Sequence, residues 1–212
     1  MGTFAGLFAA GLLAMLTLTA TPSAAAQDAP QTVLREIDGE RSDVGFELRI
    51  LLRHLGGRFL SLRGALRIDD ARQLTDIEVS LDSNSVWMAK ESNAEYARSA
   101  EFFDAARHPH IRFSASGIPL SLFREGGEMA GTVELRGVTR PMTLTVEPSG
   151  CERPGDGCDV FARGSVDRRD FGMSSRMLFV GKQVDLSFRI RLRPLSPEEA
   201  PAAAPASEDA LP

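Results

Sequence analysis

Across positions 44–52 every second residue is apolar: Val44, Phe46, Leu48, Ile50 and Leu52. Between them stand Gly45, Glu47, Arg49 and Leu51, with Arg53 beyond. The pattern returns near the end of the chain, where Val184, Leu186, Phe188, Ile190 and Leu192 interleave with Asp185, Ser187, Arg189, Arg191 and Arg193. Side chains on a strand point to opposite faces with period two, so each segment has one dry face and one wet face. A helix would scatter the same apolar residues around its axis. The chain is therefore built from strands half in water, and its function turns on what their dry faces enclose.

The two ends stand apart from this pattern. Residues 4–18 form an apolar run broken only by Gly, Ala and Thr, followed by Thr21-Pro22-Ser23 and Ala24-Ala25-Ala26. That order is the order of a secretory signal peptide, residues 1–26, cleaved after Ala26. The first base is Arg35, which reduces the positive leader region to the amino terminus and leaves a retained anchor as the alternative. The run is short of the roughly 20 residues that a bilayer span needs, so the mature chain is expected to be exported without a transmembrane span. Residues 196–212 are rich in Pro and Ala, carry Glu198, Glu199, Glu208 and Asp209, and cannot bury enough apolar surface to order themselves. Without those four acids the chain's 29 carboxylates become 25 against 24 bases. A nearly neutral folded part argues against a nucleic-acid partner.

Residues 27–195 remain as one domain of ordinary size. Its cysteines are Cys151 and Cys158, an even pair that in an exported chain implies a disulfide. Six residues separate them, including Pro and Gly, which suits a loop between strands and excludes a Cys-x-x-Cys redox pair. Zinc would need further ligands nearby, and the loop supplies none.

The alternation recurs in eight long segments, with residues 33–37 as a candidate short leading strand. One helical excursion interrupts them at residues 93–98, with Ser92 or Asn93 as N-cap and Phe102-Phe103 as an apolar close. Short connections imply antiparallel neighbours. Long strands with Gly64, Gly131 and Gly164 on the dry face favour bending, and so the expectation is an all-β, eight-stranded antiparallel barrel. Charges such as Glu47, Arg49, Arg67 and Glu134 on the other face exclude an outer-membrane barrel, whose outer band is apolar.

The dry faces hold no carboxylate, lysine, cysteine or serine, so they lack a nucleophile or base beside an orienting partner. By parity and size the lumen candidates are Phe46, Leu48, Ile50, Phe113, Leu135, Leu144 and Phe188. His108 and His110 flank Pro109 without an obvious third ligand, and no metal site is expected. His54 continues the dry parity of Leu52, either as a rim residue that meets a polar head or as a satisfied core histidine. Arg169 and Asp170 read as a loop salt bridge or an acid pair. Met177 and Phe179 lie in an apolar stretch that caps a lipid entrance or covers core at the barrel base.

Several motifs resemble those of the YceI-like (lipid/polyisoprenoid-binding) family: Ser42-Asp43-Val44-Gly45-Phe46, then Ser99-Ala100-Glu101-Phe102-Phe103-Asp104-Ala105 before His108-Pro109-His110-Ile111-Arg112-Phe113. Gly131-Thr132-Val133-Glu134-Leu135-Arg136-Gly137-Val138-Thr139-Arg140-Pro141 and Arg169-Asp170-Phe171-Gly172-Met173 follow in the family's order. The resemblance implies a lipocalin-like barrel in the periplasm that holds a polyisoprenoid or isoprenoid quinone along its axis, with no other cofactor. The leading expectation is non-enzymatic binding of such a lipid for carriage, storage or sequestration. Two alternatives stay open: a structural or stress-response envelope protein whose barrel is filled by its own side chains, and a lipid enzyme using Asp170 or His54. A homodimer is also left open.

Overall fold

The computed structural model describes residues 32–173 and 180–194. The expected signal segment up to Ala26, the lid candidates Met177 and Phe179, and residues 196–212 lie outside the described residues. The chain runs through β1 (Thr32–Glu36), β2 (Asp43–Ile50), β3 (Arg53–Phe59), β4 (Leu62–Asp69), β5 (Leu74–Asp82), β6 (Val86–Met88) and helix α1 (Glu91–Arg98). It continues through β7 (His110–Pro119), the single-turn helix α2 (Leu122–Glu125), β8 (Gly127–Leu135), β9 (Val138–Val146), β10 (Val160–Asp167) and β11 (Val180–Ile190). All eleven strands join one antiparallel sheet in the order β1-β4-β5-β7-β8-β9-β10-β11-β2-β3-β6.

The sheet curls into a half-barrel. A bridge between Ile37 and Leu192 ties the end of β1 to the chain beyond β11. Nearby, the Asp38 N–H donates to the Arg191 carbonyl at 2.8 Å and the Arg193 N–H to the Glu36 carbonyl at 2.9 Å. On the β6 side, the Leu60 N–H reaches the Ser85 carbonyl and the Asp82 N–H the Ser61 carbonyl, each at 3.1 Å. Curling puts the apolar parity inside: Val44, Phe46 and Leu48 of β2, and Val184 and Phe188 of β11, are buried. The wet parity carries cross-strand ion pairs, such as Arg112–Glu134 at 3.2 Å and Arg163–Glu147 at 2.7 Å. Exposed pairs of this kind add little stability, about 1 kcal/mol or less each.

The strand count differs from the eight expected. β3, with sequence Arg-His-Leu-Gly-Gly-Arg-Phe, puts Arg53, Leu55, Gly57 and Phe59 on the inner parity, of which only Leu55 and Phe59 are apolar side chains. Gly57 removes the middle rung of the alternation, because a Cβ there would lie 2.5 Å from Phe46 Cζ. β6 is three residues long, too short for a period to be read. The first long strand stops at Ile50, since Leu51 takes φ +54° and a two-residue turn returns the chain as β3. Nor is the helical excursion single. α2 was not anticipated, and α1 starts at Glu91 after Lys90, which makes no side-chain cap bond, instead of being capped by Ser92 or Asn93.

Beyond β10 the chain tightens into the 3-10 turn Arg168–Phe171. Asp167 caps this turn by accepting the Arg169 N–H at 3.0 Å and the Arg169 Nε at 2.9 Å. The ion pair that Arg169 makes is therefore with Asp167, and not with Asp170 as the sequence suggested. Buried Arg168 donates its Nε to the Gly181 carbonyl at 2.9 Å, joining the turn to β11. Hydrogen bonds from the Arg169 guanidinium, and then from its backbone N–H, lower the Asp167 carboxyl from its ordinary 3.8 to about 2. A carboxyl depressed in the folded state stabilises above its unfolded value and loses that contribution as pH falls through the folded value. Asp167→Asn is expected to lower the melting temperature at pH 7, and the gap to the parent chain should close between about pH 4 and pH 2. Thermal melts across that range check this; a gap that does not change with pH contradicts it.

Candidate functional site

The seven residues chosen by parity all lie on the inner wall. Phe46, Leu48, Phe113, Leu135, Leu144 and Phe188 are buried, and Ile50 packs half-buried against them. They do not line one open tube. Three apolar voids follow one another between the ends of β11, and the structure divides the seven among them.

At the Ile190 end lies a cavity of about 360 Å³ walled by Ile77, Val79, Phe113, Leu144, Ala162 and Phe188. Its rim is more polar, with Gln73, Arg124 of α2 and Glu152 of the cysteine loop. At the Val180 end lies a second cavity of about 300 Å³, bounded by Phe46, Leu48, Ile50, Leu55, Met88 and Val180, with Ser92, Asn93 and Tyr96 of α1 across its side. Between them is a void of only about 50 Å³, shared by Val79, Phe113 and Phe188 with the first cavity and by Phe46 with the second. Leu135 faces this central void. Each end cavity is at the lower edge of the roughly 300–1,000 Å³ typical of small-molecule sites. Walls of Leu, Ile, Val and Phe offer water few partners, so such spaces favour apolar contents. A wider dish of about 890 Å³ on the outer wall, lined by Glu47, Thr143, Arg163 and Asp185, is open and polar and has no such preference.

Phenyl rings form the partitions. Phe46, Phe59 and Phe103 meet with centroids 5.5–5.6 Å apart, and Phe102 abuts Phe103 at 4.7 Å. Such spacings suit edge and tilted aromatic contacts. Phe59, Met88 and Tyr96 also line these voids, and the sequences of β3, β6 and α1 show no apolar period that points to them. Phe123, on the rim of the larger cavity, was missed with α2. The glycines of the inner face are not simple gaps. A Cβ at Gly131 would sit 2.7 Å from Phe113 Cζ and 2.5 Å from the Ser114 carbonyl oxygen.

The larger cavity is closed by a stapled loop. Cys151 and Cys158 form the expected disulfide, with Cα atoms 6.2 Å apart. The loop's Gly155 carbonyl accepts the Leu192 N–H at 2.9 Å. Its Asp156 takes two hydrogen bonds from the guanidinium of buried Arg35, at 3.1 and 2.5 Å. The Arg35 guanidinium also reaches the Arg193 carbonyl at 2.9 Å. Pro154 and Gly155 thereby become part of the cavity wall.

His54 is not a lumen or core residue. The turn at Leu51-Leu52 resets the parity, so His54 pairs across from Arg49, and its side chain is 61% exposed and bonded to Glu47. His110 is exposed, while His108 lies 4.0 Å from Asp104, whose carboxyl is held below its ordinary value chiefly by the Arg107 hydrogen bond. Among the described residues no group of three or more His, Cys, Asp or Glu side chains is placed to hold a metal ion. Among them, too, no helix is long and apolar enough to cross a membrane.

These features define a curled antiparallel sheet with an apolar, partitioned interior. The chain belongs to the YceI family: the YceI-like domain model matches residues 36–192. It is 26% identical over 185 residues to a UPF0312 protein of Pectobacterium carotovorum, covering 81% of this chain and 92% of that one. It is 28% identical over 164 residues to protein YceI of Salmonella arizonae, covering 70% and 80%. Among solved structures, Burkholderia cenocepacia BcnA superposes with a TM-score of 0.59 at 17% identity, over 74% of this chain and 99% of that one. A polyisoprenoid-binding domain of Saccharophagus degradans, implicated in plant cell wall breakdown, gives 0.54 at 16% identity, over 76% and 97%. At these identities the two structures speak to the fold.

Replacing the ring that separates the central void from the smaller cavity should join the two spaces. Phe46→Ala is expected to destabilise the chain by about 3–5 kcal/mol through lost burial and an enlarged void. Urea unfolding measures this, and a loss below about 1 kcal/mol would show that the interior collapses around the site.

Proposed function

We propose that the half-barrel binds a long apolar lipid of the polyisoprenoid or isoprenoid-quinone type in its interior, for carriage, storage or sequestration and without catalysis. The observation that carries this reading is the pair of apolar cavities, about 360 and 300 Å³, set at opposite ends of one interior. Membership of the YceI family and the name of the Saccharophagus domain support it. Removing apolar surface from water is worth roughly 25 cal/mol per Å², so a long hydrocarbon chain binds without a charged partner. The compartment we infer is the periplasm, reached through the apolar leader ending at Ala26; the Cys151–Cys158 disulfide suits such an oxidising location.

A second reading, a self-filled structural barrel, draws support from the central void of only about 50 Å³. The two readings part on one experiment. Protein purified from its native host is extracted with organic solvent, and the extract is analysed by mass spectrometry. The lipid reading expects a long-chain apolar compound at close to one per chain. Ala162→Phe, which adds a ring into the larger cavity, is expected to lower that yield at least several-fold while the chain still folds. A parent chain that yields no lipid from its native host supports the self-filled barrel.

A further inference from the structure

The β2–β3 turn carries an anomaly. It is a two-residue hairpin connection, a place where Asn and Gly are favoured because φ must be positive. This chain puts Leu51 there, at φ +54°. A bulky residue in that region is strained, and strain that persists points to a use elsewhere than in the fold. Leu51 does not serve the core, since it is 61% exposed, and its neighbour Leu52 is 90% exposed. The fold therefore holds two adjacent leucines out into solvent at the tip of a hairpin.

The surroundings say what the tip meets. Exposed Arg49, on the outer face, and exposed Arg53, paired with Ile50 on the inner parity at the mouth of the smaller cavity, bracket it, and neither has an ion-pair partner among the described residues. The nearby acid Glu47 is engaged by His54. Apolar side chains flanked by unpaired bases match an anionic lipid surface, with leucines entering the acyl region and guanidinium groups at the phosphates. A second copy of the chain is a poor fit, because a two-fold contact at the tip would set these arginines against their own counterparts. Directly beneath the tip, Ile50, Leu55 and Val180 line the smaller cavity.

We propose that the β2–β3 tip is a membrane-docking element, with Leu51 and Leu52 inserted into an anionic leaflet and Arg49 and Arg53 seated at its phosphates. Docking in this way sets the smaller cavity at the membrane surface, where an apolar chain passes between bilayer and protein with little exposure to water. The docking itself does not depend on which cargo the interior holds.

A local reporter tests it in the full chain. Trp87 lies on the outer wall and is the sequence's single tryptophan, so Trp87→Phe with Leu52→Trp leaves one indole, at the tip. With phosphatidylglycerol-containing vesicles the emission is expected to shift to the blue and to be quenched at least twofold by brominated acyl chains. Arg49→Gln and Arg53→Gln should each weaken this vesicle response by about fivefold. Adding Leu51→Asn, a residue at ease with positive φ, should keep the melting temperature and reduce the quenching. The proposal is overturned if vesicles leave the tip emission unchanged or if the arginine substitutions do not alter the response. A blue shift that appears on concentrating the protein without vesicles also overturns it, by assigning the tip to self-association.

Discussion

Large inner side chains laid over glycines of the neighbouring strand hold this interior together. Phe46 lies against Gly57, Phe113 against Gly131, and Ile37 against Gly64, each so close that a Cβ on the glycine would be within 2.7 Å of the facing carbon. Rings that cover strand glycines in this way let adjacent strands approach and help a sheet curve. Here they also decide the shape of the enclosed space. Phe46 and Phe113 fill what would otherwise be the middle of a continuous lumen, and the volume left over collects at the two ends.

Those ends are built differently. At the Ile190 end a disulfide loop, an Arg35–Asp156 ion pair and the Leu192–Gly155 hydrogen bond staple the chain over the larger cavity. At the Val180 end the wall is a two-residue hairpin and one face of α1, and buried Arg168 bonds the Gly181 carbonyl beside it. The proposed docking at the β2–β3 tip assigns exchange of the proposed lipid to the hairpin end and its retention to the stapled end.

The fold class was legible because the inner and outer faces differ in polarity along every long strand. Period two survives wherever both faces bear side chains, as in β2 and β11. It fails where a glycine yields its place to a neighbour's ring, which hid β3, and where a strand has three residues, which hid β6. His54 was misplaced for a related reason: parity was extended through Leu52, and a turn at Leu51 reversed it. The seven wall residues were readable from parity, but their division among three voids was not. That division depends on ring positions set by contacts between strands far apart in sequence, such as Phe46 of β2 and Phe103 after α1. The cysteine pairing was readable, whereas its place on a cavity wall needed the register of Leu192 against Gly155.

In the proposed function this interior accepts a chain-like apolar ligand and does not stay packed with its own rings. A void of about 50 Å³ between cavities of about 360 and 300 Å³ is too small for a lipid chain to pass, so a single chain spanning both end cavities requires Phe46 on one side, and Phe113 or Phe188 on the other, to change rotamer. A crystal structure of the protein purified from its native host is the direct measurement. Continuous tubular density joining the two end cavities is expected, with Phe46 and at least one of Phe113 and Phe188 swung aside. An empty interior with these rings in place, or ligand density confined to the outer wall, would contradict it.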